Sequence, residues 1–261
     1  MKISIITPCF NSARTIRQTI ESIINQTYKD VEYIIIDNCS TDETFDIINE
    51  YQAKFHFTFL SEPDKGLYDA MNKGIKLATG DIIGILNSDD FYYNNDVLLE
   101  VNQLFKANQD IDAIYGDLIY INKNNINKQT RYWRSGEYQE KKINNGWIVP
   151  HPTFFVKKEV YQKCTKLFDT NFSIAADYEL MLRLLKINKI RVKYLPQILI
   201  KMRTGGVSGQ NIQHRIKGWQ ELKRAWTINN LKLPKFFIIR RILFKISQFL
   251  NLFKISRQNK F

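Results

Sequence analysis

The chain has 261 residues, of which 44% are hydrophobic and 13% aromatic, so it can form one large domain, with or without an appendage, and is not a disordered protein. Its three cysteines, Cys9, Cys39 and Cys164, are odd in number and widely spaced, which excludes a disulfide framework or zinc spacing and favours the reducing cytoplasm. The net charge is +12, but residues 215–261 contain 12 Lys and Arg and one acidic residue, so nearly all of that charge lies in the C-terminal tail.

The first 110 residues alternate between two hydrophobic patterns. Apolar residues recur at helical spacing around Ile16–Ile24, Phe45–Tyr51 and Leu67–Ile75. Between these segments lie short runs rich in β-branched and aromatic residues, which are typical of buried parallel strands: KISIIT, VEYIIID, FHFTFL and DIIGILN. Strands that alternate with helices through short links predict a doubly wound α/β sheet, with a crevice at the carboxyl ends of its strands.

The pattern changes after Asp110. Residues 111–133 predict a strand pair closed by an Asn- and Lys-rich turn, and a loop containing GWIVPHPTFF leads to a helix over AADYELMLRLLKI. The remaining sequence predicts two helices separated near NNLKLPK. We therefore expect residues 1–110 and 111–209 to form the two halves of one domain, and residues 210–261 to form a basic helical tail. No run of 18 apolar residues occurs and the first apolar run is short, so neither a transmembrane helix nor a secretory signal is expected.

Acidic residues follow two of the predicted strands. Asp37 closes the second strand, and Asp89 and Asp90 follow the fourth in the stretch ILNSDDFY. Because these strand ends share one edge of the sheet, we expect the three carboxylates to converge on the crevice. Carboxylates that lie together take up a proton or a cation, and their hard oxygen ligands suit Mg²⁺ or Mn²⁺. Taken alone, NSDD also fits a turn followed by a helix cap.

Four segments, in their order and spacing, resemble the inverting glycosyltransferases of family 2, which have the GT-A fold. The segments are SIITPCFNSARTIRQTIESIINQTY, YIIIDNCSTDET, SEPDKGLYDAMNKGIKLATGDIIGILNSDDFY and AADYELMLRL. Within this family, the chain looks most like enzymes that build bacterial O-antigen or capsule repeat units. The resemblance covers about residues 1–205 and implies that residues 1–110 bind a nucleotide sugar and residues 111–209 the acceptor.

The resemblance implies a donor site at the strand ends. Asp37 and the region of Pro8 would hold the base of a UDP-sugar, and Asp89 and Asp90 would bind Mn²⁺ or Mg²⁺, which stabilises the departing UDP. The first acidic position of the family's D-x-D is Asn87 here. Asn87 is expected to bind the nucleotide sugar through a ribose hydroxyl, but it lowers the expected metal affinity because an amide carries no charge. Further residues expected to bind the nucleotide sugar are Thr7, Asn11, Lys65, Asp69, Asn72 and Ser88; for Lys65, a solvated loop lysine is an equal alternative.

Inverting transfer needs a base that takes the proton of the acceptor hydroxyl. The resemblance assigns this role to Asp177, whose charge would otherwise complement the N-terminal end of a helix dipole. His151 is expected as a metal or acceptor contact or as a structural loop histidine, and Trp147 as a stacking face for the acceptor or as a core residue. Glu179 is a further candidate for acceptor binding, whereas Arg183 is expected in an ion pair on the helix.

The tail has an apolar stripe at helical spacing, and most of its basic residues lie off the stripe. The stripe consists of Ile239, Ile242, Leu243, Ile246, Phe249, Leu250 and Phe253. A basic amphipathic helix of this kind predicts binding to an anionic membrane surface. Packing on the α/β domain or in a homodimer is the alternative.

Together these features predict a peripheral enzyme on the inner face of the cell membrane. It would transfer a hexose (glucose, galactose or N-acetylhexosamine) from a UDP-sugar to a lipid-pyrophosphate-linked saccharide, with a β-linkage, in surface polysaccharide synthesis. A GDP- or dTDP-sugar donor or a soluble acceptor is the alternative within this class. Outside it, the substitution at Asn87 leaves open an inactive nucleotide-sugar-binding module. A nucleic-acid-binding protein is disfavoured because the charge is confined to an apolar-striped tail.

Overall fold

The computed structural model describes residues 1–205 and 212–250. Its first part alternates strands and helices as the hydrophobic pattern predicts, since each apolar run supplies one buried strand and each helical segment one apolar face. These elements are β1 (Ile3–Cys9), α1 (Ile16–Ile24), β2 (Val31–Asp37), α2 (Thr44–Gln52), β3 (Thr58–Ser61), α3 (Leu67–Leu77) and β4 (Ile82–Ile85).

The second part contains the predicted hairpin, the helix over AADYELML and both tail helices. Its elements are β5 (Phe91–Tyr92), α4 (Val97–Ala107), β6 (Ala113–Asn122), β7 (Asn125–Trp133), α5 (Glu140–Ile143), β8 (Phe155–Lys157), α6 (Lys158–Gln162), α7 (Ala176–Leu182), β9 (Val192–Arg203), α8 (Ile212–Ile228) and α9 (Phe237–Leu250). After α7, the chain continues in a π-helical segment over Arg183–Ile187. Phe253 of the predicted stripe lies outside the described residues.

Within the described residues, nine strands form one sheet in the order β3-β2-β1-β4-β8-β6-β9-β5, with β7 paired to β6. The first four strands in this order are parallel, whereas β8 runs antiparallel to both β4 and β6. Strands β6 and β9 are again parallel to each other. The carboxyl ends of β1, β2 and β4 therefore lie side by side at one edge of the sheet, where the crevice is expected.

The helices cover both faces of the sheet. On one face, the apolar residues of α1, α2 and α4 share a core with β1, β2, β6 and β9. On the other, α3 and α7 share a core with Trp226 of α8 and Phe237 of α9. Both halves of the domain thus share the same two hydrophobic layers, and α8 and α9 belong to the layer that contains α7.

The tail packs on the domain through α9, which is the alternative to a free membrane helix. Phe237 is 2% exposed, and its ring lies 5.5 Å from the ring of Trp226 and 6.2 Å from that of Tyr178. The apolar stripe nevertheless stays on the outside: Ile239 is 55% exposed and Leu243 60%. Over residues 1–205 and 212–250, no helix has both the length and the apolar character needed to cross a membrane.

Candidate active site

The loops that follow β1 and β2 are held together by hydrogen bonds. Asn11 and Cys39 both have a positive φ, 47° and 49°, so the chain turns sharply after each strand. The backbone N–H of Asn11 donates to Ser40 Oγ at 2.8 Å, and the Asn11 amide oxygen accepts from the backbone N–H of Thr41 at 2.9 Å. Asn11 thus orders the loops at the strand ends, and the neighbouring ring of Phe10, 56% exposed, remains open to a ligand.

Asp37 lies beneath these loops and is completely buried. Its carboxylate accepts hydrogen bonds from the Ser40 backbone N–H at 2.9 Å, the Ser40 hydroxyl, the Ser61 hydroxyl at 2.7 Å and the Cys9 thiol at 3.5 Å. These four bonds compensate the cost of burying the charge. They also occupy the roughly four acceptor positions of a carboxylate. A base that bonded to Asp37 would therefore displace one of these donors, most easily the weak thiol.

Three other predicted donor-site residues support the site from within the fold. Thr7 and Pro8 are buried in β1, and the Thr7 hydroxyl accepts a hydrogen bond from Tyr33. Asn72 exchanges two hydrogen bonds with the backbone of Phe168, at 2.9 and 3.0 Å. These hydrogen bonds hold β1 and α3 in place, and contact of the three residues with the donor stays a prediction.

Lys65 and Asp69 lie at the N-terminal end of α3. The backbone N–H of Lys65 donates to the Asp69 carboxylate at 3.0 Å, and Asp69 is an acidic residue in the first turn of the helix, where it complements the dipole. The Lys65 side chain is exposed. Both residues border the loop that follows β3.

The acidic pair after β4 separates into an inner and an outer carboxylate. Asp90 is completely buried, and it accepts a hydrogen bond from the backbone N–H of Arg203 at 3.1 Å, whereas Asp89 is half-buried. Burial and the charge of Asp89 raise the pKa of Asp90 well above its usual range; burial raises that of Asp89 too, and Arg203 opposes both shifts. Asp90 thus also fixes the backbone of β9 at Arg203, and the Arg203 charge helps to compensate the acidic pair.

Asn87 and Ser88 belong to the same turn after β4 as the acidic pair. The Asn87 amide nitrogen donates to Asp90 at 3.4 Å, while its amide oxygen is buried without a hydrogen-bond partner among the described residues. The Ser88 hydroxyl lies 2.8 Å from that of Ser12, which ties the end of β4 to the loop after β1. The Asn87 amide oxygen and the Asp89 carboxylate two residues further on are both oxygen ligands of the kind that a hard cation prefers.

Asp177 is half-buried in the first turn of α7. The Tyr68 hydroxyl, from α3, lies 3.3 Å from Asp177 Oδ1 and 2.8 Å from the carbonyl oxygen of Ile174. The approach to α7 is held by Glu221 of α8, whose carboxylate accepts the backbone N–H groups of residues 173, 174 and 175 and the Ser173 hydroxyl, at 2.8–3.0 Å. Two other helices thus hold the segment that carries Asp177.

The three predicted acceptor residues differ in their access to the site. His151 is half-buried; burial lowers its pKa, which the nearby charge of Asp177 opposes. Trp147 is 3% exposed, and its indole N–H donates to the carbonyl oxygen of Ser135 at 2.9 Å, so it is a core residue and offers no stacking face. Glu179 is likewise buried and is corrected to a structural role.

The carboxylate of Glu179 is occupied within the protein. It forms the predicted ion pair with Arg183, 3.0 Å from Nε, and accepts a hydrogen bond from Asn229 of the tail at 3.0 Å. With both partners in place and 3% of its surface exposed, it cannot reach an acceptor. It joins α7 to the C-terminal end of α8.

Tyr120 on β6 lies beneath a guanidinium, with Arg131 Cζ 4.2 Å from its ring centre. Burial raises the pKa of Tyr120, which Arg131 opposes; Asp90 and Asp177 raise the pKa further, and Arg241 lowers it. The sequence did not predict Tyr68, Glu221, Arg131 or Arg203 as site residues, since their roles depend on partners far along the chain.

Residues 4–165 match the sequence profile of glycosyl transferase family 2. The chain belongs to this family. Among related glycosyltransferases, the PGL/p-HBAD biosynthesis glycosyltransferase of Mycobacterium bovis is 27% identical over 208 residues, 78% of this chain and 78% of that protein. Chondroitin synthase of Escherichia coli is 29% identical over 194 residues, 72% of this chain and 27% of that protein.

Solved glycosyltransferase structures share the fold. S. aureus TarS 1–349 in complex with UDP-GlcNAc superimposes with a TM-score of 0.71 at 18% identity, covering 97% of this chain and 76% of that one. The mannosyltransferase PcManGT of Pyrobaculum calidifontis, in complex with GDP-Man and Mn²⁺, gives 0.65 at 19% identity, covering 92% and 68%. This chain spans 43% of the length of a longer TarS chain. The predicted GT-A fold is confirmed.

Proposed function

We propose that this glycosyltransferase transfers a hexose from a UDP-sugar to a lipid-pyrophosphate-linked saccharide, with inversion and formation of a β-linkage, in surface polysaccharide synthesis. The observation that carries this proposal is the 3.3 Å contact between the Tyr68 hydroxyl of α3 and Asp177 Oδ1, which joins the half expected to bind the donor to the segment that carries the proposed base. A donor held at the strand ends would present its anomeric carbon to an acceptor next to Asp177. The sugar would be glucose, galactose or an N-acetylhexosamine.

The donor would bind at the ends of β1, β2 and β4. The exposed ring of Phe10 offers a stacking face for a base, and the turn after β4 lies beside the space expected for the diphosphate. The structure of TarS with UDP-GlcNAc supports a uridine donor by analogy. The structure of PcManGT with GDP-Man supports a GDP-sugar as the second candidate for the donor.

Asp89 and Asn87 fit a divalent cation. One half-buried carboxylate and one buried amide oxygen without a partner in the described part of the chain are hard ligands, and Mg²⁺ or Mn²⁺ at such a site takes its remaining ligands from phosphates and water. The described residues contain no cluster of three or more His, Cys, Asp or Glu side chains that could hold a metal by themselves. When bound, the cation supplies Lewis-acid stabilisation of the leaving diphosphate.

Asp177 would act as the base. The acceptor hydroxyl oxygen attacks the anomeric carbon and its proton passes to the Asp177 carboxylate, while the bond from that carbon to the β-phosphate oxygen breaks and UDP leaves. Attack from the side opposite the leaving group inverts the configuration. Tyr68 and Glu221 would keep the carboxylate in position, and His151 would contact the acceptor beside it.

The tail supports the proposed acceptor and location. The exposed apolar stripe of α9, with basic residues on either side, supports peripheral binding to the inner face of the cell membrane. A lipid-linked acceptor would be available there. A screen of nucleotide sugars against lipid-pyrophosphate-linked GlcNAc and GalNAc, with products detected by mass, tests the proposal. Absence of transfer from every donor, with UDP still bound, would favour the inactive binding module.

A further inference from the structure

One face of α9 carries basic residues next to the domain, with Arg241 half-buried and Lys245 exposed. This face is formed by residues at helical spacing: Phe237, Arg241, Phe244, Lys245 and Gln248. Arg241 donates from Nη1 to the carbonyl oxygen of Gly146 at 2.9 Å. Gly146, with φ 85°, permits this close approach because a Cβ at that position would lie 2.6 Å from the Arg241 backbone.

Arg131 of β7 adds a further cation next to this face of α9. Its Nε donates to Gln248 Oε1 at 2.6 Å, and its guanidinium lies 4.2 Å from the ring centre of Tyr120. The guanidinium of Arg241 in turn lies 5.0 Å from the ring centre of Tyr178. We refer to Arg131, Arg241, Lys245 and Gln248 as the β7–α9 cluster.

The cluster has hydrogen-bond donors that the protein does not use. Arg131 Nη2, Arg241 Nε and Gln248 Nε2 are buried and have no partner in residues 1–205 and 212–250, and Gln248 is 0% exposed. None of the three cations forms an ion pair within the same residues. Buried N–H donors without partners are costly, so the cluster is suited to an anion with several oxygens.

The positive charges also act on one another next to the proposed base. Partial burial and the charges of Arg241 and Arg131 lower the pKa of Lys245 to about 8. Asp177 has the opposite effect, and Arg215 of α8 adds to the lowering. The cluster therefore lies within electrostatic reach of Asp177, where an anion would relieve the mutual repulsion of the cations.

We propose that the β7–α9 cluster binds a phosphoryl group of a substrate, first of all the pyrophosphate of the acceptor. This inference rests on the proposed function. A guanidinium offers paired N–H donors, an ammonium a point charge and Gln248 a further N–H, which together match phosphoryl oxygens. The exposed apolar stripe on the opposite face of the same helix favours a phosphate that is joined to a lipid. The diphosphate of the donor has the same chemistry and is the second source.

Two substitutions test the cluster without removing the packing of its aliphatic stems: Arg241→Met and Lys245→Met. Lys235→Met, at an exposed position of the same tail, is the control that removes an equal charge. Two measurements apply to each variant. The first is KM for a short-chain alkyl-pyrophosphate-linked saccharide and for the same saccharide as a neutral alkyl glycoside. The second is the Kd of UDP and of inorganic pyrophosphate by calorimetry.

We expect both cluster variants to raise KM for the pyrophosphate-linked acceptor by about tenfold or more, since each loses a charge-assisted contact, and to leave KM for the neutral glycoside and the Kd of UDP unchanged. The affinity for inorganic pyrophosphate should fall in parallel, and Lys235→Met should behave as wild type. A weaker Kd for UDP would assign the cluster to the donor diphosphate instead.

The proposal is overturned if folded variants bind pyrophosphate, UDP and the phosphorylated acceptor as wild type does. It is also overturned if KM rises equally for the charged and neutral acceptors while pyrophosphate binding stays constant, because the role would then be structural. The Lys245 side chain is exposed, so Lys245→Met should fold even if Arg241→Met does not. The pyrophosphate titration needs no transfer reaction, and it therefore tests the cluster even if the proposed donor and acceptor are wrong.

Discussion

The hydroxyl of Tyr68 lies 3.3 Å from the carboxylate of Asp177, although 109 residues separate them in the chain. The first belongs to the helix that follows β3, the second to the helix on the acceptor side. This contact joins the two halves of the domain at the atom proposed to accept the proton. The shorter bond of the hydroxyl, 2.8 Å, goes to the carbonyl oxygen of Ile174, so Tyr68 holds the backbone before α7 as well as the carboxylate.

Asp177→Asn should lower turnover by about 10²–10⁴-fold, the usual loss of a general base. The amide keeps the size of the side chain but cannot take the proton, so the Kd of UDP should stay near the wild-type value. Tyr68→Phe keeps the base and should therefore lower kcat far less. Comparison of kcat for the two variants separates the role of the base from that of the hydroxyl that positions it. Turnover of Asp177→Asn within a few-fold of wild type would exclude Asp177, and His151 would be the next candidate, because Glu179 is buried in its ion pair.

Glu221→Gln should reduce both the stability and kcat. The four hydrogen bonds that the carboxylate accepts from residues 173–175 include donors that an amide NH₂ would repel, so the free energy of unfolding should fall by about 2 kcal/mol. Displacement of the first turn of α7 should lower kcat while the Kd of UDP is kept. Glu159→Gln, at an exposed ion pair, is the control and should change little. Equal kcat in Glu221→Gln and wild type would show that the cap does not position the base.

The same carboxylate predicts a pH dependence of stability. Burial opposes the shift, but the hydrogen bonds from residues 173–175 lower the pKa of Glu221 below its usual value. A carboxylate with a lowered folded-state pKa stabilises the protein above its unfolded-state pKa of about 4.5, and this stability is lost as the pH falls through the folded-state value. Between pH 6 and 3, chemical denaturation should show a smaller decrease in the free energy of unfolding for Glu221→Gln than for wild type. Identical slopes would contradict the assignment.

Asp89→Ala should abolish metal-dependent transfer while the fold persists. EDTA should stop the reaction of the wild-type protein, and Mn²⁺ or Mg²⁺ should restore it, if Asp89 and Asn87 hold the cation. Asp90→Asn is the informative comparison: the buried side chain bonds the Arg203 backbone, so this variant should lower the melting temperature. Full activity in EDTA after dialysis would remove the metal from the proposal and leave NSDD as a turn.

Local patterns predicted the elements that depend on local sequence. The apolar runs and helical spacings of the first 110 residues predict β1 to β4 and α1 to α3, because the side-chain period, the length of each run and its β-branched content together distinguish a strand from a helix. The roles of Arg203 and Glu221 could not be predicted in this way. Each meets its partners only after the chain has folded, and a single acidic or basic residue in a helix or strand carries no signal of a distant partner.

The tail shows what an amphipathic pattern leaves undecided. The spacing of Ile239, Leu243 and Ile246 predicts one face of a helix, but an apolar face can be buried or exposed. In the structure, Phe237 and Arg241 contact the domain, while the apolar stripe faces outward. Aromatic rings beneath Arg131 and Arg241 allow this orientation, since cations pack favourably on ring faces.

Substitution of the stripe should therefore separate membrane binding from folding. A triple variant, Ile239→Gln, Leu243→Gln and Ile246→Gln, changes side chains that are 51–60% exposed, so its melting temperature should stay close to that of wild type. Flotation with anionic vesicles should fall at least tenfold, because each buried apolar side chain is worth about 1.5–3 kcal/mol.

Phe237→Ala is the opposite case: its ring is buried, and the free energy of unfolding should fall by about 3–5 kcal/mol.

Removal of the tail after Asn230 is a poorer test than the triple variant. It would remove Phe237 from the core and destabilise the protein, so a loss of membrane binding would have two explanations. Unchanged flotation of the folded triple variant would show that the stripe does not contact the bilayer. The stripe would then be a candidate surface for a second copy of the chain, which sedimentation would detect.

The affinity for inorganic pyrophosphate should decrease as the pH rises through about 8, where Lys245 loses its proton. The charged groups that act on Lys245 are Arg241, Arg131, Asp177 and Arg215; the arginines remain protonated over this range, so the change in charge at this pH belongs to the lysine. Pyrophosphate itself titrates in the same range, and the difference between wild type and Lys245→Met removes that contribution. We expect the two proteins to bind equally at pH 9.5 and the wild type to bind more tightly at pH 7. A constant difference between them at every pH would show that the Lys245 charge does not contact the anion.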